Sequence, residues 1–297
     1  MWLVKKFQKQ PPPPSPVEYA TPWRSVNWRE ESKENILRTL KNVQPGNSEV
    51  NTLRILVHGP VGAGKSSFFD SVNSSVQGRI TTRALSHVET DQSRSFTLAC
   101  KTYKIKKDMT SFFPFTLTDI RGLDRNGRGG IQTDDIIKVL NGHIKDGYFF
   151  NPDRPITEDD EKYNRTGCLN EKIHCLVAVL PANNSTIADE DVMRQIREVR
   201  EAAGRLGIPQ AIIMTKVDAA CPLVKEDLEK VYTSKKIKKK MEECSLNLGV
   251  PVKCIFPVKN YHEEHAVDTK MDVLILDALL NIVNFANDYV EDQVDSD

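Results

Sequence analysis

The sequence predicts an α/β fold, a mixed but mostly parallel sheet with helices on both faces, and three observations carry that prediction. Short β-rich runs alternate with helical patterns from about residue 50 onward. A glycine-rich stretch ending in Lys65-Ser66 lies between the first β-rich run and the first helical pattern. One neighbouring pair of runs is joined only by Lys106-Lys107-Asp108-Met109-Thr110, too short for a helical crossover and therefore a hairpin.

Taken in chain order, residues 1–20 hold Pro11-Pro12-Pro13-Pro14-Ser15-Pro16. These prolines donate no backbone hydrogen bond, so a polyproline II tail is expected, read as a disordered spacer with an SH3-type ligand as the alternative. Residues 21–47 form a tryptophan-containing segment and a helix whose apolar Ile36, Leu37, Leu40 and Val43 face one side, suited to packing on the core. Pro45-Gly46-Asn47-Ser48 marks the boundary. One large domain over 48–291 follows, with an insertion at about 143–172 and an acidic tail at 292–297; a chain of 297 residues suits one main core.

Within that domain the expected strands are 53–58, 95–105, 113–118, 173–180, 210–215 and 252–258. The expected helices are 64–75, 132–142, 187–206, 224–244 and 271–290, the last with Val273, Leu274, Leu276, Leu280 and Val283 inward. No internal repeat is visible.

Composition narrows the class. Lysine plus arginine and aspartate plus glutamate both number 41, so net charge gives no strong nucleic-acid signal. The six cysteines show neither a C-x-x-C pair nor zinc spacing and read as reduced thiols. No apolar run approaches the roughly 18 to 20 residues of a membrane span, Met1 to Lys6 lack a signal core, and neither Trp2 nor the C-terminus fits lipidation. A soluble, cytoplasmic protein without a strong membrane signal is expected. The one dense basic run, 235–240, reads as a solvated helix face, with anionic lipid or RNA as the alternative.

The strongest chemical signal is Gly59-Pro60-Val61-Gly62-Ala63-Gly64-Lys65-Ser66, a full G-x-x-x-x-G-K-[ST] match in the strand-to-helix context that this motif needs. Glycines let backbone N–H groups close around phosphate, and the helix N-terminus adds its positive dipole end. Gly59, Gly62, Ala63, Gly64, Lys65, Ser66 and Ser67 are therefore the expected phosphate-binding residues, with the Ser66 hydroxyl a ligand for Mg²⁺. Together with the hairpin, this makes the fold a P-loop NTPase of Ras-like type.

Asp119-Ile120-Arg121-Gly122 follows the third expected strand as a D-x-x-G, placing Asp119 at Mg²⁺ and the Gly122 N–H at the γ-phosphate. Thr215-Lys216-Val217-Asp218 ends a buried strand and matches [NT]-K-x-D. Two carboxylate oxygens of Asp218 can accept the N1–H and 2-amino donors of guanine, a pair adenine lacks. The Lys216 stem would cover the base, and Thr215 in place of asparagine removes an amide that usually braces this loop. Lys259, in Pro257-Val258-Lys259-Asn260, is a candidate to back the base. A switch threonine for Mg²⁺ is sought in Thr81 or Thr82, with Thr81 preferred. GTP or GDP with Mg²⁺ is the expected ligand set.

No catalytic residue is identified. Leu123 occupies the position where a water-orienting glutamine often stands, so turnover should be slow unless Gln132, Arg121, Arg125 or Arg128, a backbone group or a partner substitutes. Asn126-Gly127-Arg128-Gly129-Gly130 suits a switching loop or a plain flexible one. In the insertion, Phe149-Phe150 beside prolines reads equally as a partner contact or a core cap.

The segment Pro22-Trp23-Arg24-Ser25-Val26-Asn27-Trp28, the phosphate loop running on to Ser67-Phe68, Gly78-Arg79-Ile80-Thr81 and Asp119 to Leu123 together resemble the interferon-induced protein 44 family, over about residues 20–290. That resemblance implies a vertebrate cytoplasmic protein of the interferon-induced innate antiviral response that binds guanine nucleotide. A departure is expected at the N-terminus, where a TLDc-like domain would stand, so functions of that domain do not carry over. Three readings follow: a slow GTPase switch with an unknown protein partner, a non-catalytic adaptor on a retained P-loop scaffold, and a self-assembling GTPase acting as a homodimer.

Overall fold

The computed structural model describes residues 17–82, 99–120, 122–123, 131–183 and 190–294. Among the described residues six strands form one sheet: β1 (Leu53–His58), β2 (Lys101–Lys106), β3 (Phe112–Asp119), β4 (Cys175–Pro181), β5 (Gln210–Thr215) and β6 (Ile255–Pro257). Their order across the sheet is β2-β3-β1-β4-β5-β6. Only the β2–β3 pair is antiparallel. This is the mixed, mostly parallel sheet of a Ras-like P-loop protein. Every residue of β4 is buried, as a central strand covered on both faces requires. β1 lies between β3 and β4, so the chain leaves its C-terminal end toward neighbours on either side, the position where open α/β sheets bind ligands.

The helices are α1 (Glu30–Asn42), α2 (Lys65–Gln77), α3 (Thr133–Leu140), α4 (Glu190–Arg205), α5 (Val217–Ala220), α6 (Pro222–Glu226), α7 (Lys235–Leu248) and α8 (Thr269–Glu291). α8 packs on β1, β4, β5 and β6 and against α2, while α1 lies along its outer side. That double covering explains its burial: Ile275 and Leu279 are enclosed with Val273, Leu274, Leu276 and Val283, and Leu280, expected inward, is only half-buried. Its length and mean hydropathy of 1.4 also pass the test for a membrane span, contrary to the expectation that no segment would; most of it is buried between the sheet and α1. On the other layer α4 packs against β4, α3 and α7.

Three boundaries differ from expectation for tertiary reasons. Of the expected strand 95–105, residues 95–98 lie outside the described residues and Lys101 onward pairs with β3; Cys100 instead donates its N–H to Tyr148 O at 2.8 Å and accepts from Gly147 N–H at 2.7 Å. The expected helix 224–244 is broken into α6, a 3-10 turn (Leu228–Tyr232) and α7. The N-terminal arm takes the carbonyls a continuous helix would have used: Trp23 N–H donates to Tyr232 O and Tyr19 N–H to Thr233 O, at 3.1 and 2.8 Å. Ser234 then caps α7 by accepting the Ile237 N–H. The expected strand 252–258 shrinks because Val252–Cys254 is a 3-10 turn, its end held by Arg24, whose guanidinium donates to Val252 O and Ile255 O at 2.9 and 3.0 Å.

The insertion is built against α3. Asp135 accepts the Ile156 N–H at 2.9 Å, Ile156 is fully buried, and His143 stacks on Tyr163. Its aromatic pair splits, Phe150 entering the core and Phe149 remaining exposed. In the basic run, Lys235 and Lys238 lie over the Tyr19 ring, and Lys238 and Lys239 face Glu242 and Glu243 one turn on.

Candidate functional site

The phosphate loop leaves β1 at Gly59, whose φ is 143° and where a Cβ would stand 2.3 Å from Val179 O; only glycine lets β4 approach this closely. The loop then turns through left-handed Gly62 and Gly64, and Gly64 is the N-cap of α2. Ala63 is fully buried, while Ser66 and Ser67 are half-buried in the first turn of α2. Lys65 is buried, and its ammonium donates to Gly59 O and Pro60 O at 3.0 and 3.2 Å. Burial pushes the Lys65 pKa down, and the carboxylate of Asp119 opposes the shift. Asp119 itself is enclosed at the end of β3, in register with Val57.

Beyond Asp119, the chain is zipped to the phosphate loop. Val61 N–H donates to Leu123 O at 3.2 Å, and Leu123 N–H to Gly59 O at 3.1 Å. Gly122 is needed at this approach, since a Cβ would meet Val61 at 2.9 Å. The Leu123 side chain is 2% exposed, so it is a core residue rather than a group facing solvent.

The base-side loop leaves β5 at Thr215. Contrary to the expectation of a missing brace, the Thr215 hydroxyl donates to Ala63 O at 2.6 Å, and the Asn260 amide donates to Gly64 O at 3.0 Å. Lys216 has φ 58°, the one left-handed non-glycine among the described residues, and its ammonium donates to Gly62 O at 2.8 Å. That turn starts α5, whose first turn carries the half-buried Asp218. Among the described residues the Asp218 carboxylate makes no hydrogen bond or ion pair, so its acceptors are open to a ligand.

No family model matches. Mouse interferon-induced protein 44 is 35% identical over 259 residues, which is 87% of this chain and 60% of that protein. The human protein of the same name is 34% identical over 263 residues, 88% of this chain and 58% of that one. Across this stretch the chain is homologous to the interferon-induced protein 44 family. It spans about three fifths of the length of these relatives. Among solved structures, that of Toc33 from Arabidopsis thaliana in complex with GDP and Mg²⁺ aligns with 89% of this chain and 92% of its own at 14% identity and a TM-score of 0.45.

Several expected residues stand elsewhere than the sequence placed them. Thr81 is not at the phosphate loop. Its hydroxyl accepts from Asn73 Nδ2 at 2.8 Å and contacts Ser74 Oγ at 3.2 Å, and its N–H donates to Ser74 Oγ at 2.9 Å. Its hydroxyl also lies 3.3 Å from Asp70 O, so Thr81 sits one to two helical turns beyond Ser66; Thr82 is exposed beside it. Lys259 is engaged by Glu264 at 2.7 Å. Burial alone would raise the Glu264 pKa; hydrogen bonds from the His262 backbone and Lys259 outweigh it and hold it at about 2. Asn260, beside Lys259, is the residue of that loop that reaches the phosphate loop, and the sequence motif gave no sign of it. Gln132 donates its amide to Pro152 O at 2.8 Å. Arg121, Arg125, Arg128 and the 126–130 loop lie outside the described residues.

Proposed function

We propose that the chain binds GTP and GDP with Mg²⁺, selects guanine through Asp218, and turns GTP over slowly. We place this activity in the cytoplasm, within the interferon-induced innate antiviral response of its family. The observation carrying the reading is the base-side loop: Thr215 and Lys216 are tied to the phosphate loop while the Asp218 carboxylate has no partner among the described residues. Such a carboxylate accepts two guanine N–H donors at once. Ser66 and Asp119 are the protein oxygens offered to Mg²⁺, which usually completes its octahedron with phosphate oxygens and water. Gly59 to Ser67 and Gly122 face the phosphates, and Lys216 covers the base. Lys259 has no part in this reading, being engaged by Glu264.

Slow turnover is supported by the burial of Leu123 and by the engagement of the Gln132 amide with Pro152, which leave neither side chain to orient water. The same burial favours a second reading, in which bound nucleotide is structural and the protein acts as an adaptor.

Titration with fluorescent GTP, GDP and ATP analogues in Mg²⁺ tests the proposal. Wild type should prefer guanine. Asp218→Ala should lose about 100-fold in GDP affinity, the scale of two charge-assisted hydrogen bonds, and Lys65→Ala should lose binding of all three. Equal affinities for ATP and GTP in a folded wild type would remove the guanine assignment. Single-turnover hydrolysis then separates a slow GTPase from the structural reading.

A further inference from the structure

Three consecutive carbonyls of the phosphate loop are each held by a donor from the opposite side of the site. Lys216 Nζ donates to Gly62 O, Thr215 Oγ1 to Ala63 O and Asn260 Nδ2 to Gly64 O, at 2.8, 2.6 and 3.0 Å. A peptide group is planar, and in the trans form its N–H points away from its C=O; the described residues contain no cis bond. Fixing these oxygens therefore fixes the N–H groups of Ala63, Gly64 and Lys65, the donors that line a loop of this type. Hydrogen bonding to the oxygen also polarises each peptide group and strengthens its N–H as a donor.

The third link is specific to the loop after β6. Gly64 O already accepts the Phe68 N–H at 2.9 Å, the first bond of α2, so Asn260 is a second donor to the carbonyl that starts the helix. Asn260 is anchored from behind by Tyr261, whose N–H donates to Ser71 Oγ in α2 at 2.9 Å and whose hydroxyl donates to buried Asp272 in α8 at 2.7 Å. Asn260 Oδ1 is buried with no hydrogen-bond partner among the described residues. A side chain that leaves one buried acceptor unmet in order to present its amide to Gly64 is arranged for that carbonyl.

We infer that Asn260 is a positioning residue for phosphate: its amide locks the Gly64–Lys65 peptide plane so that the Lys65 N–H faces the pyrophosphate of a nucleoside di- or triphosphate. This rests on the nucleotide reading above. Asn260 acts through the loop and takes no part in choosing the base.

The test uses the full chain with Asn260→Leu, which keeps the side-chain size and removes the donor, and Asn260→Ala. Amide hydrogen exchange over 62–68 without nucleotide should quicken about five-fold, the scale of one ordinary hydrogen bond, while exchange over 175–181 in β4 is unchanged. Affinities for GDP and for inosine diphosphate, which lacks the 2-amino donor, should fall by the same factor of about five, leaving their ratio as in wild type. Unchanged exchange over 62–68 in both variants overturns the inference, as does a changed ratio, which would put Asn260 on the base. Quickening that extends equally through β4 marks general destabilisation and counts against it. Should wild type bind neither diphosphate, the nucleotide reading falls, and the exchange comparison still decides whether Asn260 holds the plane.

Discussion

At the scale of single residues, position after the D-x-x-G glycine is not equivalent to function at that position. Leu123 stands where a glutamine would orient water, yet both its backbone groups pair with the phosphate loop and its side chain lies in the core. Leu123→Gln should therefore fail to raise GTP turnover. It should instead lower stability by about 2 kcal/mol, because a buried amide without partners loses its hydration. Chemical denaturation beside single-turnover hydrolysis checks both halves, and a faster variant with an unchanged midpoint would contradict this placement. That the glycines, Lys65, Asp119 and the 215–218 stretch stand at strand ends was legible because the spacing of each motif is local. Asn260 was not, since it meets Gly64 across 196 positions of sequence and no local pattern announces a long-range amide. Spacing along the chain likewise did not announce that Thr81 is held on α2 by Asn73 and Ser74.

At the scale of elements, periodicity located α1, α2, α4 and α8 because each repeats apolar residues at helical spacing along its length, whatever number of neighbours then covers them. It failed over 224–244, where the break is imposed by Tyr19 and Trp23 from the far end of the chain. The contact between α1 and α8 holds a charge pair of the kind only the folded structure reveals. Lys33 Nζ lies 3.1 Å from Asp272 Oδ2, and that carboxylate, fully buried, also accepts the Tyr261 hydroxyl. Lys33→Met should destabilise by about 3 kcal/mol, since it strands a buried carboxylate, and the double variant Lys33→Met with Asp272→Asn should recover much of that loss. A double-mutant cycle by urea denaturation measures the coupling. Additive effects would mean that the pair contributes only packing.

At the scale of the whole molecule, the sheet order puts the ends of β1, β3 and β5 together, which brings three motifs spread over 160 residues into one site. β1 also carries His58, whose burial pushes its pKa down to about 3, helped by the nearby Lys65 charge. His174, before β4, is pushed down to about 4, chiefly by burial, against the hydrogen bond it makes to Leu169 O. Both are therefore neutral in the folded chain near neutral pH and ordinary in the unfolded one. Above the unfolded value of 6.5 neither affects the balance. As pH falls below it, the unfolded chain takes up protons the folded chain refuses, so stability declines through the window from about 6 to 4 at up to ~1.4 kcal/mol per pH unit for each histidine. Carboxylates held below their usual range by hydrogen bonds, Glu171 and Glu264 among them, add to acid sensitivity only lower in pH. His58 lines a small cavity with Leu176, Ile196, Ile212 and Leu248 as well as Arg200 and Gln210, so His58→Leu meets a mostly apolar lining and removes one titrating group. Denaturation midpoints measured at pH 7, 6, 5 and 4 should fall about half as steeply in His58→Leu as in wild type. Parallel slopes would show that the imidazole takes up its proton in the folded chain as readily as in the unfolded one, and so that β1 is hydrated at its end beside the phosphate loop.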